Sequence, residues 1–252
     1  FEISGRYSFS IPVRASLAVL SVDMADEVHF GFCPVNETST KQFVVQNTGD
    51  ISAFFSWKYS EPFVMEPDSG LVHPGDSQII TVHFYPTAAT SLDATVTCHI
   101  DEQIHPVRIT AVAKYSFIVL EVGSDVLNEM ATEIGTHGRN FTKEGLNAFV
   151  ANFGEVITGK KGEFPLMLRN PSEVATSYRL LGEDLDSDPT FSIRPREGVI
   201  PAGGSVPVRC FYSPVATGAF SSSNYVFETP AGGQARLTLK GLAQGPAVSL
   251  SQ

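Results

Sequence analysis

The chain has 252 residues, of which 42% are hydrophobic, and a formal net charge of −10. Its length and apolar content suit two modest hydrophobic cores. The negative charge disfavours nucleic acid as a partner, because a phosphate backbone requires a basic surface. Direct docking onto the acidic surface of a microtubule is disfavoured for the same electrostatic reason.

Short segments rich in Val, Ile, Phe and Thr alternate with 21 Gly and 16 Pro, a pattern typical of all-β proteins. Residues 55–59 alternate three aromatic side chains on one face with Ser56 and Lys58 on the other. About seven short strands in each stretch of ~110 residues predict two tandem immunoglobulin-like antiparallel β-sandwiches. Further strand candidates, in chain order, are residues 41–46, 77–84 and 236–239.

The sequence also repeats itself, first at an offset of 123 positions and then at an offset of 128. The change of offset places insertions in the second copy. A repeat of this length indicates an array of similar domains, and such arrays mostly hold and position partners. The matched features are Phe30-Gly31 with Phe153-Gly154, Asn47 with Asn170, and residues 63–70 with residues 191–198.

These offsets define the predicted domains. Segment 114–118 contains neither Gly nor Pro, so we expect it to continue as a strand with Tyr115 and Phe117 packed at the junction between repeats. The predicted layout is a tail strand of a preceding repeat and a junction at 1–9, a first sandwich at 10–114, a second sandwich at 115–244 with an insertion at 124–152, and the start of a following repeat or a linker at 245–252.

The insertion at 124–152 has no counterpart in the first repeat, so we expect partner-specific binding there. Ser124-Asp125 suits a helix start, and apolar residues follow at helical spacings before Gly135, which predicts a short helix. The alternative is that this segment covers an edge of the second sandwich and protects its unpaired strand; both roles are compatible. The candidate partner-binding residues are Leu127, Met130, Ile134, Phe141, Leu146 and Phe149.

Two segments resemble ligand-binding loops without meeting their full requirements. Residues 154–161 match seven positions of a phosphate-binding loop but end in Lys161, where Ser or Thr must bind magnesium, and no long helix follows. A turn between strands is therefore expected. Residues 184–195 begin like a calcium loop but have Pro189 in place of the required Gly.

The His and Cys residues do not form a convincing chemical site either. Cys98 and His99 could meet His83 across strands, but alternation points the adjacent pair to opposite faces. Three cysteines, without the spacing of disulfide-linked immunoglobulin domains, predict free and mostly buried thiols in a reducing compartment. The sequence therefore predicts no enzyme, metal site, cofactor or small-molecule substrate.

Together, the repeated motifs resemble the ASH domain, which is related to the major sperm protein and pilus-chaperone immunoglobulin folds. We expect Gly70 and Gly198 to occupy turns with positive φ, and Asn47 and Asn170 to bridge backbone groups at strand ends. The motif residues are Phe30-Gly31, Asn47, Phe63, Pro67, Gly70, Gly75, Ser77 and Phe84-Tyr85-Pro86 in the first copy, and Phe153-Gly154, Asn170, Phe191, Pro195, Gly198, Gly203, Ser205 and Phe211-Tyr212-Ser213-Pro214 in the second.

Tandem ASH domains are typical of hydin-like cilia- and flagella-associated proteins. The resemblance implies a non-catalytic, cytoplasmic scaffold of the ciliary or flagellar axoneme, associated with the central apparatus. Its partners would be other axonemal or microtubule-associated proteins, with no nucleic acid and no membrane. The alternative is a major-sperm-protein-like peptide-binding adaptor at the endoplasmic reticulum. Such modules usually occur singly and use a basic groove, whereas both halves of this chain are acidic.

Overall fold

In the computed structural model, the described residues are 2–3, 7–8, 11–14, 16–123, 139–182 and 190–245. All regular secondary structure in these ranges is β-strand, which confirms the all-β prediction. The chain divides into two compact units. The first comprises Phe1–Val28, Thr40–His83 and Ala94–Ile109, and the second comprises His29–Ser39, Phe84–Asp93 and Thr110–Gln252.

Strands β3 to β11 of the first repeat form two sheets, and β1 and β2 form a separate short hairpin. One sheet has five strands in the order β4-β11-β10-β6-β8, and the other has four in the order β3-β5-β9-β7. The strands are β1 (Glu2–Ile3), β2 (Tyr7–Ser8), β3 (Val22–Met24), β4 (Glu27–Pro34), β5 (Ser39–Asn47), β6 (Ala53–Lys58), β7 (Phe63–Glu66), β8 (Ser69–Val72), β9 (Ser77–Phe84), β10 (Ser91–Ile100) and β11 (Gln103–Lys114).

Period-2 alternation explains which faces of these strands are buried. In β6, Ala53, Phe55 and Trp57 are buried, as the aromatic pattern predicts, while Phe54 is half-exposed. The third predicted aromatic, Tyr59, lies beyond the strand end and is exposed.

The strands of the second repeat form a four-stranded sheet, β12-β15-β19-β17, and a six-stranded sheet, β13-β14-β21-β20-β16-β18. Neighbouring strands pair antiparallel except β14 and β21, which are parallel. The strands are β12 (Val119–Glu121), β13 (Asn140–Gly145), β14 (Ala148–Ile157), β15 (Gly162–Arg169), β16 (Thr176–Gly182), β17 (Phe191–Arg194), β18 (Glu197–Ile200), β19 (Ser205–Tyr212), β20 (Phe220–Glu228) and β21 (Gln234–Gln244).

One hydrophobic core in the second unit draws residues from both of these sheets. At its centre, the rings of Phe191 and Tyr212 stack with centroids 4.9 Å apart, and Phe153 lies 5.6 Å from Tyr212. Phe153 belongs to the six-stranded sheet, whereas Phe191 and Tyr212 belong to the four-stranded sheet. The two sheets therefore pack face to face as a β-sandwich.

A fully buried asparagine links the two sheets of each repeat. The sequence predicts that it bridges backbone groups at a strand end, and the structure adds that these groups belong to both sheets. Asn47 ends β5, and its Nδ2 donates to the carbonyls of Ile51 (2.7 Å) and Val72 (2.8 Å). Its Oδ1 accepts a hydrogen bond from the backbone N–H of Gly49 (3.0 Å). Because Val72 belongs to β8 of the other sheet, one amide satisfies a loop and connects both layers.

Asn170 makes the corresponding connection after β15. Its Nδ2 donates to the carbonyls of Val174 (2.8 Å) and Ile200 (3.2 Å), and its Oδ1 accepts from the N–H of Ser172 (3.0 Å). Ile200 ends β18 of the six-stranded sheet. The two repeats thus use the same side chain at the same place to bond the following loop and the opposite sheet.

Replacing either asparagine should destabilise the fold strongly. Asn170→Ala leaves several buried backbone groups without partners and should lower the free energy of unfolding by about 3 kcal/mol. Asn47→Asp keeps the size but turns a carboxylate oxygen toward two carbonyls, so it should destabilise at least as much. Chemical denaturation measures both. Asn224→Ala is the matched control, because Asn224 is exposed and accepts a hydrogen bond from Thr238 Oγ1 on the sheet surface. An Asn47→Asp variant with an unchanged free energy of unfolding would contradict the account.

The prediction for Gly70 and Gly198 is wrong, since neither glycine has a positive φ. Both lie in strands, paired with an aromatic residue: Gly70 faces Phe55, and Gly198 faces Tyr178. A Cβ at position 70 would approach the Phe55 ring to 2.8 Å, and one at position 198 would approach the Tyr178 ring to 3.1 Å. These glycines are therefore required for close packing of a cross-strand ring.

Positive φ occurs instead at the Phe-Gly motif, where Gly31 has φ 73° and Gly154 has φ 66°. In β14, the pairing with β21 shifts register between Asn152 and Glu155, so Gly154 occupies a β-bulge. The Phe-Gly pair is repeated because the aromatic ring enters the core while the glycine permits the irregular backbone beside it.

The predicted helix in the insertion is not supported. Residues Asn140–Gly145 and Ala148–Ile157 form a β-hairpin, with Phe141 opposite Ala151 and Thr142 opposite Val150. Alternating side chains on a sheet edge fit this segment better than a helical face. The segment that carried the helix signal, 124–138, lies outside the described residues.

The expectation for the connecting segment is also wrong. The strand β11 ends at Lys114 and β12 begins at Val119, and the side chains that point inward between them are not the predicted ones. Tyr115 and Phe117 are 57% and 51% exposed, whereas Ser116 and Ile118 are buried. Ser116 Oγ forms a 2.8 Å hydrogen bond with Thr176 Oγ1, whose hydroxyl donates to the Glu37 carboxylate. The hydrogen bonds of Ser116 and the burial of Ile118 in the core of the second unit therefore hold this segment, and the two aromatic rings do not.

Candidate partner-binding surfaces

The β13–β14 hairpin, together with its turn, contains three of the six residues predicted to bind partners. β13 is one of the two edge strands of the six-stranded sheet, and β14 joins it to β21. The hairpin turn is fixed by Asn147, which has φ 56° and donates from Nδ2 to the carbonyls of Ile118 (2.7 Å) and Gln234. The hairpin is thus an ordered extension of the sheet with a firmly held tip.

The structure separates these predicted residues into two groups. The rings of Phe141 and Phe149 stack with centroids 5.3 Å apart and pack on the hydrophobic core. Leu146 is 98% exposed at the hairpin tip. Leu127, Met130 and Ile134 lie outside the described residues. Docking through these positions remains a prediction, and within the described part of the hairpin Leu146 is the position open to a partner.

The structure shows where some of the segments that resemble phosphate-binding or metal-binding sites lie. Residues 154–157 continue β14, and the expected turn is confined to residues 158–161, where Lys160 N–H donates to the Ile157 carbonyl (2.9 Å). His83 Nε2 lies 3.0 Å from Glu66 Oε2. Across the described ranges, no cluster of three or more His, Cys, Asp or Glu is placed to bind a metal ion. The calcium-like segment 184–188 lies outside the described residues.

All three cysteines are free and buried, as the sequence predicts. Burial raises the pKa of the Cys98 thiol to about 12 and also raises the pKa of Cys210. A raised thiol pKa keeps the protonated form dominant at neutral pH, and the thiolate is the reactive species. The cysteines therefore act as small apolar core residues.

The native protein should resist alkylation. At pH 8 iodoacetamide should leave Cys98 and Cys210 unmodified, because the pKa values of both lie well above the ordinary value of about 8.5. After unfolding in denaturant, all three thiols should react. Intact-mass spectrometry without reductant measures both states. Rapid labelling of the folded protein, or an intrachain disulfide, would contradict the assignment.

The structure also reveals a surface that reasoning from overall charge missed. It is a shallow groove of about 560 Å³ on the four-stranded sheet of the second repeat. Arg194 ends the edge strand β17 and is the register partner of Arg209 in β19. We call it the arginine groove; its lining residues are Arg194, Pro195, Arg196, Pro207 and Arg209, all exposed.

A signal for this groove was present in the repeat itself. At the offset of 128, Arg194 corresponds to Glu66, Arg196 to Asp68, and Arg209 to Thr81. The second repeat therefore carries three positive charges where the first carries two negative charges and a hydroxyl. Comparison of the two copies position by position finds this reversal, whereas a net charge averages it away.

The comparison with protein families supports the same fold. The family model described as HYDIN/CFA65/VesB-like, Ig-like domain matches residues 18–114. The matched range contains β3 to β11, including the Phe30-Gly31 pair and the sheet-linking Asn47.

Relatives of this family extend the similarity along the chain. Cilia- and flagella-associated protein 65 of Chlamydomonas reinhardtii is 26% identical over 249 residues, which are 98% of this chain and 10% of that protein. Hydrocephalus-inducing protein of Mus musculus is 34% identical over 91 residues, 36% of this chain and 2% of that protein. The resemblance to hydin-like cilia- and flagella-associated proteins is confirmed. The chain spans a tenth or less of these relatives.

Among solved structures, the chain is similar to the ASH / PapD-like domain of human CEP192. The identity is 16%, the match covers 44% of this chain and 99% of that domain, and the TM-score is 0.34. Because that score is low, the fold assignment depends on the strand order and core of this chain. In the described part of the chain, no helix is long and apolar enough to cross a membrane.

Proposed function

We propose that this chain is part of a non-catalytic scaffold of the ciliary or flagellar axoneme, associated with the central apparatus. Its immunoglobulin-like domains, which we place at residues 10–114 and 115–244, position axonemal or microtubule-associated proteins. The observation that carries the proposal is the similarity to a cilia- and flagella-associated protein over 98% of the chain.

The physical character of the fold supports a holding role. The buried polar side chains Asn47 and Asn170 hydrogen-bond to the backbone at the points where the sheets are joined. The cysteine thiols are buried, and burial raises the pKa of Cys98 and Cys210. We call these sheet-linking asparagines and the core around them the frame. Because these side chains are buried, recognition of partners falls to surface positions, which differ between the repeats.

The first test locates the full-length protein. In ciliated cells that express it, an epitope-tagged copy should remain in the axoneme after the membrane is extracted with detergent. Immunogold electron microscopy should place the label beside the central microtubules. Complete release with the detergent-soluble fraction, or accumulation at the endoplasmic reticulum, would contradict the proposal and favour the peptide-binding adaptor.

The second test concerns partner docking through the insertion. Deleting all of 124–152 would remove Phe149 and Ala151 from the core, so point substitutions are the better choice. Serine in place of Leu127, Met130, Ile134 and Leu146 should leave the melting temperature unchanged and reduce retention of the protein in detergent-extracted axonemes. Quantitative blotting of axonemes measures the retained fraction.

Phe149→Ala is the contrasting variant, because it removes a core ring and should destabilise by about 3 kcal/mol. If the serine variant also unfolds, the segment is an edge cover and its docking role fails. If the serine variant folds and remains fully bound to the axoneme, docking through these residues is likewise contradicted.

A further inference from the structure

We propose that the arginine groove binds an acidic segment of a partner polypeptide. This inference deepens the scaffold role and rests on it only in taking the partner to be a protein. The groove is part of the second repeat alone, so it would give that repeat a binding specificity that the first lacks.

The reversal of charge between the repeats is the first argument. Both β7 and β17 are edge strands, and a proline follows each of them directly. In the first repeat, this proline lies between Glu66 and Asp68. In the second, it lies between Arg194 and Arg196.

Charges and prolines on an edge strand prevent unwanted pairing with other sheets, and either sign of charge serves that purpose. Edge protection therefore explains why charged residues stand here in both copies. It does not explain why three positions of the second copy are arginine. A partner that distinguishes the two signs does explain it.

The chemistry of the groove favours carboxylates. Each guanidinium is planar and presents paired N–H donors that match the two oxygens of a carboxylate. Arg194 and Arg209 are cross-strand neighbours, so their side chains can flank one acidic residue from two sides. Pro195 and Pro207 supply apolar walls against which the aliphatic part of a Glu or Asp side chain can pack.

The ion pair at the groove is exposed to solvent. Glu163 Oε1 lies 3.5 Å from Arg209 Nη1, and both side chains are about half-exposed, at 46% and 66%. An exposed pair of this kind contributes little, so an incoming carboxylate can replace it. Elsewhere on this sheet Arg169 pairs with Glu121 (3.2 Å), and in the turn before β15 the Lys161 ammonium lies over the Phe211 ring at 3.7 Å.

The charge of the whole chain selects a short acidic peptide over a nucleic acid. With a net charge of −10, the protein repels a long polyanion along most of its surface. At physiological ionic strength, charges separated by more than about 8 Å are screened. A short acidic segment therefore experiences the local arginines, while a nucleic-acid strand extends into the repulsive field.

Fluorescence polarisation with the purified protein tests the groove. The probe is a short labelled peptide that alternates Glu and Gly, with a Gln-Gly peptide of equal length as its control. The protein should bind the Glu peptide and not the Gln control peptide. Its affinity for the Glu peptide should fall when the salt concentration is raised from about 50 to about 200 mM. The triple variant Arg194→Gln, Arg196→Gln, Arg209→Gln should bind about tenfold more weakly or worse.

A control variant removes equal charge from the other sheet: Arg179→Gln, Arg236→Gln, Lys240→Gln. It should bind the Glu peptide as well as the wild type, and thermal melting should show that both variants fold. Equal losses in the two variants, no binding by the wild type, or binding of the Gln peptide would overturn the proposal. Single-stranded RNA competing as well as the Glu peptide would overturn it too.

This assay is independent of cellular location. If the protein binds the peptide but is absent from the axoneme, the scaffold role fails and the groove stands. If it is axonemal and the peptide does not bind, the groove fails and the scaffold role stands.

Discussion

The architecture of each repeat depends on one buried side-chain amide. A β-sandwich buries two apolar faces, but hydrophobic contact is non-directional and does not by itself fix where a loop crosses from one sheet to the other. Asn47 and Asn170 provide that direction, because each donates to a carbonyl of the opposite sheet and accepts from the loop that follows its strand. Such an amide is costly to bury unless all its hydrogen bonds are made, so it tolerates little displacement.

This constraint separates the frame from the surface. Asn47 and Gly70 in one copy, and Asn170 and Gly198 in the other, make corresponding contacts inside the sandwich, while outward side chains can change. The edge strand that follows the frame carries Glu66 in the first copy and Arg194 in the second. A scaffold built from repeats can in this way present different partner sites on one architecture.

The sequence predicted the repeated frame because its signals are local. The Phe-Gly pair, the strand-ending asparagine and period-2 alternation all act within a few residues. The predictions that were wrong concern features that depend on how strands distant in sequence pair and which way their side chains face. The sequence suggests a turn at Gly70, but the structure pairs this glycine with Phe55 on the neighbouring strand. The sequence suggests that Tyr115 packs inward, but Ser116 is the buried residue. Register and phase are properties of the assembled sheet.

The candidate surfaces follow the same division. A helical spacing of apolar residues was taken as the signature of the insertion, yet its described part is a hairpin whose Phe141 and Phe149 pack on the core. The arginine groove was missed because Arg194 and Arg209 are separated in sequence and meet only when β17 pairs with β19. A net charge of −10 describes the long-range field of the chain and conceals this local exception.

The central claim is that a shared rigid frame carries different surfaces on its two copies. Hydrogen exchange with and without the Glu-Gly peptide tests it most directly. Without peptide, the amides of Gly49 and Ser172, which donate to the two asparagines, should exchange as slowly as those of β9 and β19. With peptide, protection should rise at β17 and β19 and stay unchanged at β7 and β9. Fast exchange at Gly49 and Ser172, or equal added protection in both repeats, would contradict the account.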